Sequence, residues 1–413
     1  MRSKYSIILI VALALSLTGF SILNACAPKA PAKEKVIKVG LMMELTGPGG
    51  AINARGQNVA HYLAYWRWVN DNGGIRGIRV EPIWDDNGGN NDRAIANFKK
   101  YKDAGAVATT TVMTVQGESL QPLATRDQLP LIVPSTSDAL QNPQHWTYTF
   151  TPSYTETFAG ILKWVKENWK GSGRPRIAQI SEEIPMGKAH IEPGKKMAAD
   201  MGIDFGPIEF GAYTSLDFTP QLLRIRDAKA DYVYLPSRPP QHAQILRDAV
   251  KLGIADKVEW IIGPQVTHWE MMPFMPEQAD NRIAVSYFAW PEEEYSGRQK
   301  VIDILSKYVA PDPQLGRPTF GTGFWLYWGN YVIMNDAIGR AIDKVGFDKL
   351  DGKAVKDAIE STKNLDMFGA TPPLNFSPTQ HTGESFQRFV RVDYKGKTVK
   401  PISDWFRGEA PKQ

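Results

Sequence analysis

The sequence predicts an α/β protein built from two doubly wound parallel-sheet lobes. Short apolar runs alternate with amphipathic helical segments from Val36 to Ile262, and the rhythm of the first half recurs in the second. Several runs also stop abruptly in small polar residues, as strands buried on both faces do where they leave a sheet. The 413 residues give room for two or three domains, and 43% hydrophobic with 22% charged residues is an ordinary globular composition. The formal charge of +4 is spread without a basic run, which argues against a nucleic-acid partner.

The stretch Leu129 to Asp138 anchors the reading. Leu131, Ile132 and Val133 are too few and too continuous for a helix face and read as a buried strand that Pro134 ends. Ser135, Thr136 and Ser137 then leave the carboxyl end of a strand, the edge at which open α/β sheets bind ligands. An ordinary strand-to-helix turn capped by Ser137 or Asp138 fits the same residues.

Upstream, Val36 to Met43 reads as a strand entering the loop Glu44 to Gly50. Gln57 to Asn70 reads as a helix, with Val59, Tyr62, Leu63, Trp66 and Val69 on one stripe and Gly73-Gly74 beyond its end. A strand at Ile78 to Trp84, a helix from Asp92 to Lys102 and a strand at Ala106 to Thr111 follow. A short helix from Ser119 to Asp127 and a strand at Thr147 to Phe150 complete the first half.

The second half reads as helices over Tyr154 to Trp169, His190 to Met201, Asp217 to Asp227 and Gln241 to Leu252. Strands fall at Arg176 to Ile180, Ile203 to Phe210, Asp231 to Leu235 and Val258 to Ile262. Beyond Asn281 come a strand at Ile283 to Ala289 and helices over Gly297 to Val309 and Thr322 to Ile342, expected to complete the first lobe. A late strand at Phe386 to Asp393 is expected on the second lobe.

The amino-terminal segment reads as an address. Arg2 and Lys4 precede an apolar run from Ile7 to Leu17, of signal-peptide rather than membrane-span length, so residues 1–25 are expected to be removed. Leu23-Asn24-Ala25-Cys26 resembles the lipobox of bacterial lipoproteins, which implies lipidation of Cys26. Residues 26–35, rich in Pro, Ala and Lys, read as a flexible tether. Cys26 is the only cysteine, so the mature body has no disulfide, thiol nucleophile or cysteine metal site.

A set of motifs in fixed order identifies a family resemblance. Met42-Met-Glu-Leu-Thr-Gly-Pro-Gly-Gly50, Val69-Asn-Asp-Asn-Gly-Gly-Ile-Arg-Gly77, Trp84-Asp-Asp86, Leu129 to Asp138, Phe150-Thr-Pro-Ser-Tyr154 and Gln244-Ile-Leu-Arg-Asp-Ala-Val-Lys-Leu-Gly253 resemble the periplasmic solute-binding proteins of branched-chain amino-acid ABC importers, the Leu/Ile/Val-binding type. The resemblance implies the type I periplasmic binding protein fold, with three hinge crossings and ligand trapped between closing lobes. Lobe one would be about 36–152 plus 290–370, and lobe two 153–289 plus 371–413.

The resemblance also implies a ligand carboxylate held by Thr114, Val115 and Gln116 and by Ser135, Thr136 and Ser137, with neutral donors at strand and helix ends. The opposite lobe departs from the pattern. Gly263-Pro264-Gln265 stands where amino-acid receptors carry a Glu for the ligand ammonium, and Gln cannot neutralise a cation. Met186 replaces an expected aromatic residue, Tyr154 sits where an acidic residue often lies, and Arg238 occupies the place of another pocket aromatic. Arg238 either clamps a second carboxylate or solvates the cleft rim. These departures favour a small carboxylic acid or amide lacking the α-ammonium.

Trp269 and Phe324 fall near expected cleft loops and are candidate ligand contacts, whereas Trp66, Trp68, Trp84 and Trp164 read as packing residues. No nucleophile elbow, phosphate loop or His-Glu-x-x-His pair is present, so no catalytic residues, cofactor or metal are expected. Asp85-Asp86 reads as a strand-end cap and Glu292-Glu-Glu294 as a solvated loop. The expected partners are a small-molecule solute, ABC permease and ATPase subunits, and a membrane reached through the lipid anchor alone; the receptor is expected to be a monomer. A ligand sensor of the same fold is the alternative.

Overall fold

The structure is a computed structural model that describes residues 35–47, 58–134, 137–141, 145–264, 277–313, 316–318, 320, 322–383 and 385–409. Ser135, Thr136, Gln265, Trp269 and Cys26 lie outside the described residues.

The first sheet contains β1 (Val36–Met43), β2 (Arg79–Asp86), β3 (Thr109–Thr110), β4 (Leu131–Ile132) and β5 (Thr147–Tyr148), ordered β2-β1-β3-β4-β5. The pairs β1–β3, β3–β4 and β4–β5 are parallel, with Gly40 opposite Thr109, Thr110 opposite Ile132 and Ile132 opposite Tyr148. The helices between them are α1 (Val59–Asp71), α2 (Asn91–Asp103) and α3 (Thr114–Asp127). The apolar stripe of α1 buries Tyr62, Trp66 and Val69, and Asn58 caps it by accepting from the N–H groups of Ala60 and His61.

The second sheet follows the same winding. Helix α4 (Tyr154–Asn168) leads to β6 (Arg176–Ser181), α5 (Pro185–Lys188), α6 (Ile191–Met201), β7 (Asp204–Phe210), α7 (Thr219–Asp227), β8 (Tyr232–Leu235), α8 (Pro239–Lys251), β9 (Glu259–Ile262) and β10 (Ile283–Ser286). Its order, β7-β6-β8-β9-β10 within the larger sheet, repeats that of the first sheet. A capping box starts α4: Ser153 Oγ accepts from the Glu156 N–H while Glu156 accepts from the Ser153 N–H.

The rest of the chain divides between the two layers. Helices α9 (Arg298–Tyr308) and α10 (Thr322–Val345) pack on α1, and α11 (Gly352–Ile359) packs on α10. Trp328 Nε1 donates to the His61 carbonyl at 3.0 Å, fixing α10 against α1. The last strands, β11 (Arg388–Asp393) and β12 (Thr398–Pro401), extend the second sheet as an antiparallel edge beside β10. The chain therefore passes between the sheets three times, after β5, after β10 and after α11.

The crossings are bonded to one another. The Thr149 N–H donates to the His381 carbonyl at 2.8 Å, and the Ala289 N–H to the Ala370 carbonyl at 2.6 Å. One apolar core runs from the α1–α10 interface through Phe150 and Phe288 to one face of the second sheet, while separate cores cover the outer faces of both sheets.

Three sequence expectations are corrected. Helix α3 begins at Thr114 rather than Ser119; its start carries no sequence signal because Met113 makes no side-chain cap. The second sheet is mostly parallel, as expected, with β11 and β12 as its antiparallel edge. Helix α11 and the short α5 were not anticipated. Glu292 and Glu293 are half-buried in ion pairs rather than fully solvated: Glu292 pairs with Arg317 at 2.5 Å and Glu293 with Arg388 at 2.5 Å, while Glu294 is exposed.

Candidate functional site

Topology locates the site before any side chain does. In each sheet the connections turn outward in opposite directions from the first strand, so a switch point lies between β1 and β3 in one sheet and between β6 and β8 in the other. The crevice at such a point, beyond the carboxyl ends of the strands, is where open α/β sheets take ligands. The residues there are Glu44 and Thr114 in the first layer and Glu182 and Arg238 in the second.

In the first layer, Met113 precedes α3 without a side-chain cap bond, and a helix amino terminus is a setting suited to an anion. Thr114 and Gln116 are buried and Val115 is half-buried on this turn. Gln116 Oε1 accepts from Thr111 Oγ1 at 2.6 Å and Asn87 Nδ2 at 3.0 Å, which fixes the amide. Its Nε2 is buried with no partner among the described residues. Such a donor costs stability unless a ligand or water receives it. Asp86 acts as the expected strand-end cap, accepting from the N–H groups of Leu45 and Gly88 at 2.9 and 3.0 Å.

Two of the sequence candidates meet between the layers. Thr114 Oγ1 lies 2.7 Å from the hydroxyl of Tyr154, the first residue of α4. Beside them, Thr155 Oγ1 donates to Asp138 Oδ2 at 2.6 Å, and Ser137 Oγ donates to Glu118 Oε1. A cavity of about 510 Å³ opens here, lined by Glu118, Ser137 and Asp138 from the first layer and by Ile184, Pro185 and Lys188 from the second. Its size suits a small organic solute. Met186, on α5 next to this wall, is buried.

Arg238 is the candidate whose surroundings the sequence left open. It follows β8, and Glu182 follows the adjacent strand β6. Arg238 Nε donates to Glu182 Oε1 at 2.9 Å and Nη2 to Oε2 at 2.5 Å, a bidentate pair with the carboxylate almost fully enclosed. The guanidinium carbon lies 3.7 Å from the centre of the Tyr213 ring, which follows β7. Burial raises the Tyr213 phenol, with Arg238 opposing and Glu182 and Glu44 reinforcing the rise. Glu182 and Tyr213 carry no sequence motif and emerge only from strand adjacency.

Phe324 stands apart from these groups. It is 2% exposed and packs 4.4 Å from Trp328 and 5.2 Å from Trp325, ring centre to ring centre. Among the described residues no three His, Cys, Asp or Glu side chains converge as metal ligands, and no helix is long and apolar enough to cross a membrane.

Comparison with solved structures finds the same fold in proteins of distant sequence. A branched-chain amino-acid ABC transporter protein from Thermus thermophilus with bound valine superposes with a TM-score of 0.79 at 20% identity, covering 91% of this chain and 97% of that one. A fatty-acid ABC transporter substrate-binding protein from Thermomonospora curvata gives 0.77 at 17% identity, covering 92% and 94%. An ABC transporter solute-binding protein from R. palustris in complex with 4-hydroxybenzoate gives 0.74 at 16% identity, covering 91% and 98%. No curated protein matches the sequence. The family described as periplasmic binding protein matches residues 36–397, from β1 through β11, and the chain belongs to that family.

Proposed function

We propose that this protein is the extracytoplasmic solute-binding receptor of an ABC importer. It holds one small carboxylate-bearing solute between two lobes, about 36–152 plus 290–370 and 153–289 plus 371–413, that close about the three crossings. The observation that carries the reading is the pair of identically wound sheets whose switch points present Thr114 on one side and Arg238 on the other.

The carboxylate sits at the first turn of α3, taking hydrogen bonds from Thr114, the Val115 backbone and Gln116 Nε2, with Ser135, Thr136 and Ser137 completing the cradle. Tyr154, Met186, Arg238, Gln265 and Trp269 face the rest of the solute. Neutral donors stabilise the anion without a buried counter-charge. Gln265 supplies a neutral amide rather than a carboxylate, which favours an organic acid or amide over an α-amino acid. The reading needs no bond to be made or broken.

Cys26 carries the lipid anchor, and the partners are the permease and ATPase subunits that accept the closed complex. The structural relatives with bound valine and 4-hydroxybenzoate mark the range of solutes this fold accommodates. A thermal-shift screen of amino acids, their deaminated analogues, aromatic acids and amides tests the ligand class, because a ligand that binds only the native state raises its melting point. Small-angle scattering of the best hit is expected to show compaction on binding. An unchanged profile at saturation rejects closure, and tight leucine binding with none of its deaminated acid rejects the ligand class.

A further inference from the structure

The receptor reading leaves the second layer's contribution to ligand choice unassigned, and the Arg238 cluster bears on it directly. The three participating side chains come from the carboxyl ends of adjacent strands: Glu182 beyond β6, Tyr213 beyond β7 and Arg238 beyond β8. Two of the guanidinium's donors are already committed to Glu182, and its carbon lies 3.7 Å from the centre of the Tyr213 ring. Nη1 has no partner among the described residues. The adjoining Ser237 Oγ is fully buried and also lacks one.

The charge balance follows from that geometry. Guanidinium and carboxylate cancel, and their side chains are only 24% and 5% exposed, so water screens them weakly. A second carboxylate brought to Nη1 would share a guanidinium whose charge is already matched, leaving one net negative charge in a closing, desolvated cleft. A carbonyl, amide or hydroxyl oxygen needs only the spare N–H. Arginine also cannot trade its fork for a new orientation without giving up both the bidentate pair and the stacking on Tyr213.

We propose that Arg238, preset by Glu182 and Tyr213, is a specificity-determining residue that receives a neutral hydrogen-bond acceptor at the far end of a monocarboxylate solute and discriminates against dicarboxylates. The proposal rests on the receptor reading and deepens it. Glu44, at the carboxyl end of β1, adds a further carboxylate whose charge acts on both Arg238 and Tyr213.

Calorimetry on the mature chain with two matched probe pairs tests the proposal: glutarate against glutaramate, and terephthalate against its mono-amide. The mono-amide is expected to bind about tenfold or more tightly than the diacid. Glu182→Gln is expected to narrow or reverse that ratio, because it releases the Arg238 charge to a second carboxylate. A diacid that binds the native protein as well as its mono-amide overturns the proposal, and so does a ratio unchanged in Glu182→Gln. Failure of every probe to bind overturns the carboxylate reading instead.

A ligand-free measurement then still decides the cluster. Arg238→Met is expected to lower the melting temperature, because it strands the enclosed Glu182 carboxylate without its partner. Adding Glu182→Gln is expected to restore it. No loss in the single variant, or no recovery in the double variant, overturns the preset neutral pair.

Discussion

Thr149 and His381 lie 232 positions apart in sequence, yet the Thr149 N–H donates to the His381 carbonyl at 2.8 Å and so ties the first crossing to the third. The imidazole reinforces the tie. Its Nδ1 lies 3.2 Å from the Thr147 carbonyl, its Nε2 3.0 Å from Glu360 Oε1, and its ring centre 4.4 Å from that of Tyr148. Glu360 also accepts from Tyr148 and Lys356. Burial pushes His381 below the ordinary imidazole range, against the opposing pull of Glu360 and Thr147.

His381→Ala removes the side-chain part of this joint and leaves the backbone bond. It is expected to destabilise the fold by about 2–3 kcal/mol, the sum of a buried ring contact and lost hydrogen bonds. Urea unfolding measures the loss directly. A change below about 0.5 kcal/mol, the range of a surface substitution, means that the crossings are held by backbone bonds alone.

Acid is expected to destabilise the second layer through two other histidines. His190 and His242 are fully buried, and burial lowers each imidazole to about 3. His190 Nε2 is satisfied by Gln179 Oε1 at 2.7 Å, and His242 Nε2 by the Leu235 carbonyl at 2.9 Å, both compatible with a neutral ring. The unfolded chain takes up these protons near pH 6.5 and the folded chain only near 3, so unfolding gains protons as pH falls between those values. The stabilisation is complete above pH 6.5 and lost by about pH 3, on the order of several kcal/mol in total. Denaturant melts across that window check the slope, and His242→Gln is expected to flatten it. A flat native profile from pH 6.5 to 4 contradicts both assignments.

Lipid attachment is expected to depend on Cys26 alone. Cys26→Ser removes the one thiol that can carry an acyl chain, and the protein is then expected to leave the membrane fraction and lose labelling by radioactive palmitate. Labelling that persists in the variant rejects the lipobox reading.

The legible parts of the sequence were those set by local periodicity. The stripe from Val59 to Val69 and the run from Leu131 to Val133 each state their own burial, so α1 and β4 could be read with their faces. Helix α3 was read five residues short because Met113 offers no capping oxygen, and Gly117 with Pro122 weakens the helical pattern after it. That matters for the site, since it moves Thr114 from a loop into a helix's first turn. Arg238 could be noticed but not interpreted. Its partner Glu182 is 56 positions away and is chosen only because β6 lies beside β8, a fact of sheet order that no local window contains. The pairing of Glu293 with Arg388, which half-buries one carboxylate of an apparently solvated loop, is hidden for the same reason.

The hydroxyl pair Thr114–Tyr154 is expected to couple ligand binding to closure, because its two members belong to different layers and meet at 2.7 Å. Thr114→Val keeps the side-chain shape and removes the hydroxyl, and Tyr154→Phe does the same from the other side. Each is expected to weaken solute binding by about fivefold to tenfold, the worth of one net hydrogen bond. If the pair acts as a unit, the double variant should lose little more than either single one, since the second substitution removes a bond already broken. Independent contacts with the solute would instead give losses that multiply. Calorimetry on the four proteins of the cycle separates these cases, and full multiplicativity would mean that Thr114 and Tyr154 act on the solute independently and form no joint between the layers.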